Sequence, residues 1–225
     1  MSRIFTALKL DYYSAIPTVK YMILVFYALS LVTGLAAKQP LASLVIVTVF
    51  SSSLCGAVFA EQERNNFNKL YSVLPLSKTE MIIGRYLLAF IDGIITIVAA
   101  VIIGMVVSAA VNAPVSWLSL LALASLFFVY YCFSTAISFP LFFRASYTVG
   151  QIFAVLPWLI IIFGLMLVGD RIDIEGVSTE EAILEMEIIK EQQIPLIITG
   201  ITTGTILLAI SALVSRLIYT QKDVQ

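Results

Sequence analysis

The 225-residue chain has no histidine, two cysteines, and only 12% Asp, Glu, Lys and Arg. Without histidine it lacks the commonest metal ligand and the commonest general base at neutral pH. Cys55 and Cys132 lie in separate apolar stretches with no second cysteine nearby. They read as small buried hydrophobes, with a disulfide or metal role as the lesser alternative. There is no Gly-x-x-x-x-Gly-Lys-Ser/Thr phosphate loop, no Gly-x-Ser-x-Gly elbow, no Cys-x-x-Cys and no His-Glu-x-x-His. The expectation is therefore a protein that is not an enzyme, with no catalytic residue, bound cofactor or metal. The net charge of −1 creates no field that would recruit nucleic acid.

What is present is apolar: 60% of residues are hydrophobic and the mean hydropathy is +1.03. A soluble domain carries roughly 25% charged residues. At half that value there is too little charge to cover a water-facing surface, so lipid must be part of the solvent. About 20 apolar residues cross a bilayer core of roughly 30 Å. The uncharged runs predict an all-α, polytopic single domain over 1–225, with spans at about 20–37, 40–60, 83–108, 116–140, 148–169 and 196–216. The stretch from Gly93 to Phe143 has no charge and is too long for one crossing, so it folds back at Asn112-Ala113-Pro114. The start of the chain has no compact basic region before a cleavable apolar core, and no signal peptide is expected there.

Basic residues choose the orientation. With the N-terminus inside, Arg3, Lys9, Lys20, Arg64, Lys69, Lys78, Arg85, Arg144, Arg216 and Lys222 fall on the cytoplasmic side. Only Lys38, Arg171 and Lys190 fall outside. Both termini are therefore expected in the cytoplasm.

Three segments are expected beyond the bilayer core. Before Pro17, Ile4, Phe5, Leu8 and Tyr12 share a face, as in an interfacial helix, although Leu10 and Asp11 break the pattern. An ordinary basic anchor is the plainer alternative. Between the second and third spans, Phe67, Leu70, Tyr71 and Leu74 recur at i, i+3, i+4 and i+7, and Pro75 stops that helix. Ser77-Lys78-Thr79-Glu80 then has capping-box form and starts the third span. The apolar face at 67–74 either rests on the membrane or docks a cytoplasmic protein. The outer segment 170–191 is rich in acids, and Ser178-Thr179-Glu180-Glu181 opens a small external helix or hairpin.

Asp92 is the only acid within a span, two helical turns after Arg85. The two form a candidate intramembrane polar pair, read as a structural ion pair, with a substrate or proton site as the alternative. Gly200 and Gly204 have the small-x-x-x-small spacing of close helix packing.

The run Glu61 to Glu63, then Leu74-Pro75-Leu76-Ser77-Lys78-Thr79-Glu80, then Gly84-Arg85-Tyr86, resembles the ATP-binding-cassette type-2 permeases. The likeness is to short bacterial members whose permease and ATPase are separate chains, and in layout it covers nearly the whole sequence. It implies a half-transporter in the plasma membrane that pairs with a second permease, identical or related. It also implies a cytoplasmic ATPase that binds the ATP and seats on a coupling helix. By that resemblance Glu61, Glu63, Arg64, Phe67, Leu70, Tyr71, Leu74 and Arg144 are the docking candidates. The implied activity is outward movement of an amphipathic or hydrophobic substrate (peptide, lipid or drug) by alternating access. The alternatives are a non-transporting sensor or immunity subunit, and a secondary transporter using Asp92.

Overall fold

A computed structural model of the chain describes residues 3–65, 77–112, 115–144, 147–153, 157 and 179–221, with side chains in the final helix described over 192–219. All the regular structure among the described residues is helical: α1 (Arg3–Ala37), α2 (Pro40–Leu54), α3 (Ala57–Arg64), α4 (Lys78–Val111), α5 (Trp117–Arg144), α6 (147–153) and α7 (Thr179–Gln221). Five stretches among these residues are long and apolar enough to cross a membrane: Arg3–Ala37, Pro40–Arg64, Lys78–Val111, Trp117–Arg144 and Gln192–Tyr219. Most of the fifth expected span, 148–169, lies outside the described residues.

Several boundaries differ from the sequence reading. The expected interfacial helix and first span are one helix, α1, which continues through Pro17. Its 35 residues correspond to about 52 Å at 1.5 Å per residue, well beyond the hydrocarbon thickness. Proline removes one helical hydrogen bond, but neighbouring helices compensate for that in membrane bundles. The packed stripe at its start is Ala7, Asp11 and Ala15, while Phe5 and Tyr12 are exposed. Short side chains rather than large apolar ones face the bundle there. The second span is interrupted at Cys55-Gly56, which separates α2 from α3. The helix expected in the outer segment is not a separate unit, because α7 runs unbroken from Thr179 through Pro195.

Local chemistry sets the turns. Lys38 and Asn112 have φ of 54° and 57°, the left-handed conformation that ends helices. Asn112 donates its N–H to the carbonyls of Ser108 and Ala109, closing α4 where the sequence signals a turn. The capping box also forms: Ser77 Oγ accepts from the Glu80 N–H at 3.2 Å, and the Ser77 N–H donates to Glu80 Oε2 at 2.8 Å.

Contacts between helices give their relative directions. Gly84 faces Ala7 and Gly34 faces Val107, so α1 and α4 run parallel. Ser30 Oγ donates to the Ser43 carbonyl, and Phe26 stacks on Phe50, which holds α1 against α2. Helix α7 lies along α5 in the same direction. Gln193 Nε2 donates to Ser119 Oγ at 3.0 Å, Gly200 faces Ser125, Gly204 faces Phe128 and Cys132, and Ser211 Oγ donates to the Ala136 carbonyl. The two glycines thus permit the close packing their spacing predicts. The outward faces remain apolar, as lipid requires: Leu24 and Val32 on α1, Val98 and Ile102 on α4, Ile206 and Leu213 on α7.

Candidate functional site

The Gly84-Arg85-Tyr86 triplet lies at the end of the bundle where α1 begins and α7 ends, and each residue serves a different contact. Gly84 has no side chain, and a Cβ there would meet Ala7 Cβ at 3.1 Å and the Leu8 backbone nitrogen at 3.3 Å. That close approach brings α1 near enough for Asp11 to reach Arg85, whose Nε donates to Asp11 Oδ2 at 3.3 Å. Both side chains are buried, at 2% and 0% exposure. Arg85 Nη2 also donates to Gln62 Oε1 on α3. The guanidinium lies 4.4 Å from the Phe59 ring centre and 5.5 Å from that of Phe143, a cation–π arrangement. One arginine therefore joins α1, α3, α4 and α5. Tyr86 OH shares hydrogen bonds with Ser211 Oγ (2.6 Å) and Ser215 Oγ (2.7 Å), which adds α7 to the junction.

Around this junction α3 is tied on its other polar residues. Glu61 is buried and accepts from Thr18 Oγ1 at 2.6 Å and from Asn65 Nδ2 at 2.8 Å. Glu63 accepts the backbone N–H of Tyr147 at 2.7 Å, at the start of α6. Of the residues expected beside a docking face, Glu61 thus points into the protein and Glu63 holds a helix start. Arg64 and Arg144 are exposed at the ends of α3 and α5. Phe67, Leu70, Tyr71 and Leu74 lie outside the described residues.

The expected Arg85–Asp92 pair is not what the structure contains. Two turns separate the residues by about 10.5 Å along the axis, and the Arg85 side chain leans toward the helix start, away from Asp92. Arg85 takes Asp11 instead. Asp92 Oδ2 accepts from Tyr131 OH at 3.0 Å, with Cys55 Sγ at 3.5 Å. Tyr131 also donates to the Ala89 carbonyl at 2.8 Å and exchanges a hydrogen bond with Cys55. Gly93 permits this, since a Cβ there would lie 2.7 Å from the Phe128 and Tyr131 rings. The break in the second span falls at Cys55, so the sulfur sits where the helix is interrupted.

Between these two clusters lies a cleft of about 670 Å³, walled by α1, α3 and α4 with Leu54 and Cys55 just before α3 and Phe139 of α5. It falls within the 300–1,000 Å³ range typical of small-molecule sites. Its lining is mostly apolar, including Ile16, Ile23, Leu88 and Ile95, with Arg85 and Asp92 on the α4 side. No group of three or more Cys, Asp and Glu residues arranged to hold a metal occurs among the described residues.

Long apolar helices bound by small residues and a few buried polar junctions define a multi-pass membrane protein. The sequence matches the ABC-2 family transporter protein description over residues 8–220, and the chain belongs to that family. It is a membrane transport component of an ATP-binding-cassette transporter. Neither the curated proteins nor the solved structures include a match to it.

The sequence reading missed Asp11 and Tyr131. Asp11 was visible only as an acid that spoiled an apolar face. Tyr131 is one of several aromatics in an uncharged run and carries no local signal.

Proposed function

We propose that the chain is the permease half of an ATP-driven exporter. It crosses the membrane six times, keeps both termini in the cytoplasm, pairs with a second permease, and seats a cytoplasmic ATPase on the segment after α3. The sixth crossing is supported by the parallel course of α5 and α7 and by the uncharged run in the sequence at 148–169. The orientation is supported by ten basic residues on one side against three on the other, named above.

The observation that carries the reading is the attachment of α3. This short helix leads directly into residues 66–76 and is tied to α1 by Thr18–Glu61, to α4 by Gln62–Arg85, and to α6 by Glu63–Tyr147. A displacement imposed on residues 66–76 would reach three helices through polar contacts, part-buried at Glu61 and Gln62 and exposed at Glu63. That is the mechanical requirement for an ATPase outside the membrane to open a permease within it. ATP closes the ATPase dimer, the coupling segments move, and the permease opens outward to release an amphipathic or hydrophobic substrate.

Co-purification of the cognate ATPase, with its ATP turnover, tests the reading. Apolar anchors at the centre of an interface contribute about 2 kcal/mol or more, so Phe67→Ala should weaken the complex roughly 30-fold. Leu70→Asp should do worse, because it buries an unpaired carboxylate. Asn68→Ala should have little effect. Unchanged association and turnover in a well-folded Leu70→Asp protein would exclude this docking surface.

A further inference from the structure

The charges around the 670 Å³ cleft are unequal in what they leave for an occupant. Arg85 is neutralised by Asp11 at 3.3 Å. Lys20 is among the lining residues, but its ammonium sits 4.8 Å from the centre of the Tyr21 ring, which does not line the cleft and is 68% exposed. The Lys20 charge therefore points toward the outside of the cleft. Asp92 has no basic partner among the described residues, and its contacts at Oδ2 are a phenol and a thiol. A carboxylate within a membrane span requires a proton or a positive partner. Its neighbours in the wall, Leu88, Ile91 and Ile95, offer hydrocarbon to whatever approaches it.

We propose that this cleft binds a cationic amphipath, with its hydrocarbon against α1 and α4 and its ammonium on Asp92. This names the substrate class for the transport reading above and takes its physiological purpose from it. The binding itself does not require the ATPase. A donor on the cation would complete the carboxylate's hydrogen bonding, and the low dielectric would strengthen the contact. An uncharged chain of equal length would gain only the apolar part, and an anion would meet Asp92 as a like charge.

The test uses the purified permease in phosphatidylcholine nanodiscs, with binding to empty discs subtracted. Radiolabelled dodecylamine, dodecanol and dodecanoate serve as probes. Wild type should bind dodecylamine most tightly. Asp92→Asn should weaken dodecylamine by at least about tenfold, the scale of one charge-assisted hydrogen bond, and leave dodecanol unchanged. Ile95→Trp keeps Asp92 but fills the cleft from an exposed position, and it should weaken dodecylamine and dodecanol together. Lys20→Gln should leave dodecylamine binding unchanged or tighter.

Equal dodecylamine affinity in wild type and folded Asp92→Asn would overturn the proposal, with Asp92 then a neutral acid and the cleft a lipid groove. Should Asp92→Asn fail to fold, unimpaired dodecylamine binding by Ile95→Trp would overturn it equally. Preference for dodecanoate, lost in Lys20→Gln, would show an anion site instead. Dissociation of a dimer by Ile95→Trp would show that a second copy covers the cleft, which also overturns it. None of these outcomes depends on ATPase docking, so the transport reading and the cleft assignment fail separately.

Discussion

Arg85 and Asp11 meet at 3.3 Å across 74 residues of sequence, and both are buried. The contact joins the beginning of α1 to the beginning of α4 beneath a bilayer-length pair of parallel helices. It fixes the end of the bundle from which α3 leads toward residues 66–76.

Removing one member of this pair strands the other charge. Asp11→Asn is expected to lower stability by about 3 kcal/mol, the scale for breaking a buried pair. Arg85→Lys should also destabilise, because an ammonium cannot span Asp11 and Gln62 while stacking on Phe59. Thermal unfolding of the purified variants in one detergent checks both. If Asp11→Asn matched wild type, the pair would contribute nothing net.

Two glycines predict opposite outcomes. A Cβ at Gly200 would lie 2.8 Å from both the Ser125 carbonyl oxygen and Ser125 Oγ, so α7 would have to move away from α5. Gly200→Ala should cost roughly 1–3 kcal/mol, as overpacking does. A Cβ at Gly104 would meet only the flexible end of Leu120, at 3.3 Å. Gly104→Ala should be neutral, or stabilising by up to about 1 kcal/mol through helix propensity. Unfolding midpoints of the two variants, measured side by side, settle the contrast.

The start of α4 should be sensitive to acid. The Ser77 backbone N–H, and then its hydroxyl, hold the Glu80 carboxyl below the usual carboxylate range. Because the folded value is lowered, the stabilisation is fully present above about pH 4.5, the ordinary value. It is lost as pH falls through the lower folded value. As pH falls below about 4.5, wild type should lose more stability than Glu80→Gln. Parallel acid titrations of the two proteins would disprove the linkage.

The orientation can be read with a membrane-impermeant thiol reagent on intact cells. With Cys55 and Cys132 replaced, single cysteines at Asn112 and Gly176 should label from outside. Those at Asn66 and Ser146 should not. Labelling at position 66 would invert the topology and remove the docking assignment with it.

The sequence alone determined that lipid is the solvent, where α4 starts and ends, and that α7 packs closely at Gly200 and Gly204. These follow from short-range facts: charge density, uncharged runs, a Ser-x-x-Glu box, an Asn-Ala-Pro turn and two glycines four residues apart. Hydropathy also showed that α1 contains a span, but not that the helix passes straight through Pro17. Only the tertiary structure decided which polar groups meet. Arg85 and Asp92 share a helix face, yet side chains two turns apart do not touch, whereas Asp11 reaches Arg85 because Gly84 lets α1 come close. Tyr131 reaches Asp92 because Gly93 leaves room for its ring. Partner choice inside a bundle is set by how closely two backbones approach, a property of pairs of helices that no single stretch of sequence records.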